Sequence, residues 1–120
     1  MSRSHRLAVL LLMGGLVACG NVSFVERVAI VNETVYDASV AVSGDEGGWL
    51  GLTTVTAQDT REVREVIDQG ETWTFRFSYG RHDPVELRVS RDELADSDWV
   101  VEVPVEFEEN LRDEGVPPPP

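Results

Sequence analysis

The sequence predicts an all-β fold, a single antiparallel β-sandwich of about seven strands. Three observations lead there. The chain breaks into short runs that alternate apolar and polar residues, separated by Gly-, Asp- and Pro-containing turns. No stretch sustains a helical period. Trp73, Phe75, Phe77 and Tyr79 alternate with Thr74, Arg76 and Ser78, so one face of that strand carries a row of aromatic rings for a core.

In chain order, Val25 to Val31 is apolar on both faces, as suits a central strand. Ser39 to Val42 alternates. Trp49 to Val55 carries β-branched residues after the turn formers Asp45-Glu46-Gly47-Gly48. Thr60 to Asp68 is ambiguous. Val63, Val66 and Ile67 fall at helical spacing, yet the turn Asp68-Gln69-Gly70-Glu71 would fold a strand back onto Thr72 to Tyr79, and strand is the preferred reading. Val85, Leu87 and Val89 alternate with Glu86 and Arg88. Ser90-Arg91-Asp92-Glu93 has capping-box spacing and predicts one helical turn over Asp92 to Ala95, linking two strands across the sandwich. A last strand runs through Trp99, Val101 and Val103 to Pro104. From there the pattern dissolves into carboxylates and Pro117 to Pro120, predicting a disordered acidic, Pro-rich tail over 106–120.

The amino-terminal residues carry a different message. Arg3, His5 and Arg6 precede an uncharged run, Leu7 to Val17, which ends in Leu16-Val17-Ala18-Cys19. This is the three-part layout of an export signal, and the run is shorter than the about 20 apolar residues a membrane span needs. The string resembles the lipobox of bacterial lipoprotein signal peptides. That resemblance implies cleavage before Cys19, acylation of its thiol, and a protein held on the cell membrane or outer membrane, outside the cytoplasm. More than one acyl chain is needed for stable anchorage. The expected organisation is a signal peptide over 1–18, a lipidated tether over 19–23, the sandwich over 24–105 and the tail over 106–120. The alternative is an ordinary secretory signal, with Cys19 an incidental thiol.

Charge narrows the partners. Loss of Arg3 and Arg6 with the signal leaves eight of the ten basic residues against 22 acidic ones, a net of −14. Such a chain repels nucleic acid and anionic headgroups, so attachment to a membrane falls to the lipid on Cys19. With a single cysteine there is no disulfide, and stability must come from packing.

The chemistry-bearing residues are few. His82 is the one histidine beyond the leader, in the turn Gly80-Arg81-His82-Asp83-Pro84, with no paired nucleophile nearby. Both methionines, Met1 and Met13, lie in the leader, so a transition-metal site lacks ligands and no cofactor is expected. Calcium has weak candidates in Asp92, Asp96 and Asp98, and in Asp45 and Glu46 beside two glycines. Trp49, after the glycine pair, is a candidate exposed platform for a ligand, while Trp73 and Trp99 are in phase with the core. Asn21-Val22-Ser23 and Asn32-Glu33-Thr34 match the N-glycosylation pattern, a chance match in a bacterium.

Val63 to Phe77, an apolar strand, a Gly-containing turn and an aromatic strand, resembles a stretch of bacterial extracellular immunoglobulin-like domains. It implies that fold for 24–105 and no activity, and the Cys…Trp…Cys spacing of antibody domains is absent. The expected function is that of a lipid-anchored, non-enzymatic binding or structural module of the cell envelope, meeting another envelope protein or a cell-wall component. The alternative is a surface receptor for calcium or a saccharide.

Overall fold

A computed structural model describes residues 22–120. The leader expected over 1–18 and Cys19 lie outside the described residues. Seven strands form: β1 (Phe24–Asn32), β2 (Ala38–Ser43), β3 (Leu50–Val55), β4 (Asp59–Ile67), β5 (Thr72–Ser78), β6 (Val85–Ser90) and β7 (Val100–Glu102). They make a three-stranded sheet in the order β4-β1-β7 and a four-stranded sheet in the order β3-β2-β5-β6. One core lies between them. Val28, Ile30 and Val101 of the first sheet meet Val40, Val42, Trp73, Phe75 and Phe77 of the second, all of them buried. Truncating one of these rings to Ala would cost about 3–5 kcal/mol, so the alternation in β5 supplies a large part of the stability.

The strand reading of 60–68 is correct, and the structure explains why it looked helical. Glu65 sits in the left-handed region at φ 54°. It shifts the alternation by one, so that Val63 and Val66, three apart, both face the core. The partner strand makes the same step, with Val25 and Val28 both buried. The register is otherwise regular from Phe24↔Ile67 to Asn32↔Asp59.

The sheets are not wholly antiparallel. β7 pairs parallel with β1, Ala29↔Val100 to Val31↔Glu102. The chain must cross from β6 in one sheet to β7 in the other, and a short helix, α1 (Arg91–Asp96), makes that crossover. It begins with the predicted capping box, Ser90 Oγ accepting from the Glu93 N–H and the Glu93 carboxylate from the Ser90 N–H. That carboxylate is held below the usual range by the Ser90 N–H, with the Ser90 hydroxyl adding to the effect.

The disorder expected over 106–120 needs correction as far as Val116, as does a domain ending at 105. Val105–Asp113 is a second helix, α2, whose Phe107 and Leu111 are buried in the core. Gly115 (φ 74°) ends it in a Schellman motif: the Val116 N–H donates to the Leu111 carbonyl at 3.0 Å and the Gly115 N–H to that of Arg112 at 2.9 Å. Val116 packs against the core, and its carbonyl accepts from the Tyr36 hydroxyl at 2.6 Å. Two apolar side chains one turn apart and a closing glycine outweigh the surrounding carboxylates, which simply face water.

Asn32 fastens the sheets at the end away from Ser23. It is 1% exposed. Its Nδ2 donates to the carbonyls of Tyr36 at 2.8 Å and Val55 at 3.0 Å, and its Oδ1 accepts from the Thr34 N–H at 3.0 Å and hydroxyl at 2.7 Å. The glycosylation pattern at Asn32 is therefore sealed inside the fold.

Candidate functional site

At the end where β1 begins, Ser23, Asp45, Asp68, Gly70 and Arg91 line an open cleft of about 580 Å³. Two of its four carboxylates, Asp45 and Asp68, serve the fold. Asp45 accepts from the backbone N–H groups of Glu71 at 2.8 Å and Thr72 at 3.2 Å. Asp68 accepts from the Gly70 N–H at 2.9 Å and from the Arg91 guanidinium. The Asp45 bonds lock the β2–β3 loop onto the β4–β5 turn and Asp68 ties that turn to Arg91, while Glu46 and Glu71 stand exposed on the rim.

The calcium candidates are not drawn together. Asp92 lies in the first turn of α1, Asp96 at its end, and Asp98 beyond it at φ 57°, paired with Arg27 at 3.1 Å. Among the described residues, no group of three or more His, Cys, Asp or Glu is arranged to hold a metal ion. His82 stacks on Tyr79, ring centroids 6.3 Å apart, and its Nδ1 lies 3.1 Å from Glu114 Oε1. That contact fastens the β5–β6 turn to the end of α2.

Trp73 and Trp99 pack edge to face at 5.4 Å, with Trp73 wholly buried. Trp49 is different. It stands just before β3, is 43% exposed, and lies against the Arg76 guanidinium, whose carbon is 3.7 Å from the ring centroid. Arg76 is itself fixed, donating to Glu86 Oε2 from Nε at 3.1 Å and from Nη2 at 2.9 Å.

The register shows what surrounds this pair. One row across the outer face of the four-stranded sheet reads Gly51, Ala41, Arg76, Glu86, and the next reads Ser43, Thr74, Arg88. On the other side stand Thr54, Ser39 and Ser78, with the Ser39 and Thr54 hydroxyls 3.3 Å apart. A shallow groove of about 410 Å³ runs here, lined by residues that include Ser39, Ala41, Gly51, Thr54 and Ser78. Sequence reasoning picked out Trp49 but not Arg76 or the small outward residues. Their signal was the run of Ser, Ala, Gly and Thr at outward positions, legible only once strand partners are known. No family model, no curated protein and no solved structure matches this chain.

Proposed function

We propose that this protein is a lipid-anchored, non-enzymatic binding module of the bacterial envelope, built as an immunoglobulin-like sandwich. The observation that carries the reading is the distance from the lipobox cysteine to the fold. β1 starts at Phe24, five residues past Cys19, a span of at most about 18 Å. A lipid on Cys19 would hold the domain against the bilayer. Val22, Phe24 and Ile67, all exposed apolar side chains, cluster where the tether would emerge. Strand order supports the immunoglobulin-like assignment. β2, β5 and β6, with β3 outside β2, follow the C, F, G and C′ strands of that fold, and β1 with β4 follows B with E. β7 takes the edge beside β1 that the first strand usually occupies.

The saccharide version of the receptor reading keeps the support of the half-exposed Trp49, whereas the calcium version has none from the scattered Asp92, Asp96 and Asp98. The test is metabolic labelling with radioactive palmitate followed by mass spectrometry of the amino terminus. Label on the wild type and none on Cys19→Ala, with loss of the latter from the membrane fraction, is expected. An unlabelled precursor with a free thiol would overturn the reading.

A further inference from the structure

We propose that the outer face of the β3-β2-β5-β6 sheet binds a saccharide chain, one pyranose ring stacking on the exposed indole of Trp49 and its neighbours lying along the trough of Ala41, Gly51 and Ser39. The inference rests on the reading of the domain as a binding module, and not on its anchorage.

Trp49 is a prepared platform. One face of the indole is covered by Arg76, which two hydrogen bonds to Glu86 hold in place, and the side chain remains 43% exposed. A ring already fixed in orientation loses little freedom when a ligand stacks on it. The part of the indole that Arg76 leaves exposed offers an apolar aromatic surface to the weakly positive C–H groups of a sugar.

The surroundings fit the same ligand. Arg76, Glu86 and Arg88 occupy the β5-β6 half of this face, whereas the β2-β3 half next to Trp49 carries only the small side chains of Gly51, Ala41, Ser43, Ser39 and Thr54. Small residues let a chain lie close to the backbone, and the hydroxyls can both donate to and accept from sugar hydroxyls. A pyranose chain presents one apolar patch per ring within a field of hydroxyls, which mirrors this surface.

Other ligands fit less well. Among the described residues, Trp49 is the one large exposed apolar side chain on this sheet, since Val22, Phe24, Ile67, Val100 and Val105 lie elsewhere. A bilayer or an amphipathic helix needs a wider apolar area. A basic protein would be drawn to the acidic remainder of the chain, because this face carries Arg76 and Arg88 against Glu86 alone.

The test uses the full chain in a non-glycosidic detergent, labelled with ¹⁵N and titrated separately with chitohexaose, an N-acetylated wall-type glycan, and with cellohexaose, its unacetylated counterpart. A saturable shift of the Trp49 indole N–H, with the Trp73 signal static, is expected. Trp49→Ala and Ser39→Arg should each weaken binding by about tenfold or more, as for a central aromatic contact, and Trp49→Phe should retain part of it. Response to chitohexaose alone would assign the glycan to the wall type, and response to both to β-linked pyranose chains in general; either supports the proposal. No saturable shift with either sugar, or unchanged affinity in Trp49→Ala, overturns it. Sugar binding without palmitate on Cys19 would sink the anchorage and leave this inference standing.

Discussion

Asp45 and Gly70 are packed so closely that a methyl group on Gly70 would stand 2.8 Å from the Asp45 carboxyl carbon. Gly70 also has φ 99°, a conformation that L side chains rarely adopt. The side chain of Asp45 reaches past it to the Glu71 and Thr72 N–H groups. Gly70→Ala should therefore lose about 1–3 kcal/mol, seen as a lower urea midpoint with an unchanged m value. Asp45→Ala alone should cost about 1 kcal/mol. Because it also removes the obstruction, the double variant should be more stable than the two single losses predict, and strict additivity would refute the contact.

The Asn32 network makes a second prediction. Asn32→Leu leaves the Tyr36 and Val55 carbonyls without their buried donor and should cost about 2–4 kcal/mol by urea melting. Thr34→Val, which removes one hydroxyl from the same network, should cost less. Equal and small effects would show that Asn32 does not fasten the sheets.

A third concerns α2. Phe107→Ala should lose about 3–5 kcal/mol and Leu111→Ala about 2–5 kcal/mol. Tyr36→Phe, deprived of its bond to the Val116 carbonyl, should lose about 1 kcal/mol. A chain ending at Pro104 should bind a hydrophobic dye such as ANS, since the core side chains beneath Phe107 and Leu111 would be uncovered. A truncated chain that melts like the wild type would return 106–120 to the status of a tail.

The fourth concerns pH. The Glu93 carboxyl is held below its ordinary value of 4.5 in the folded chain, chiefly by the Ser90 N–H. A depressed folded value stabilises the fold above the unfolded value and ceases to do so as pH falls through the folded one. Glu93→Gln keeps the hydrogen bond but cannot titrate. Thermal melting should place the wild type above Glu93→Gln at neutral pH, with the gap closing as pH falls below about 4. A gap independent of pH would contradict the assignment.

How far the sequence was legible depended on how local each signal is. The alternation of β5, the capping box at Ser90 and the phase of Trp99 with Val101 are written within a few residues, and all appear in the fold. Residues 60–68 were ambiguous because Glu65 takes a left-handed conformation unusual for its type, turning a period of two into a spacing of three. The α2 helix was hidden by its carboxylates, although Phe107, Leu111 and Gly115 carried its pattern. The parallel pairing of β7 with β1 joins residues some seventy apart, and nothing local encodes it. The face around Trp49 has the same character, since Gly51, Ala41 and Arg76 become neighbours only through strand register.

That parallel pairing has a mechanical side. β1 leads away from Ser23, while β7 runs alongside it towards α2, which Val35 holds through Glu108 and Tyr36 through Val116 at the opposite pole. Tension applied between the two poles would draw β1 and β7 past each other, straining their evenly spaced bonds together, in shear, instead of unzipping them singly. A domain wired this way is suited to resist stretching.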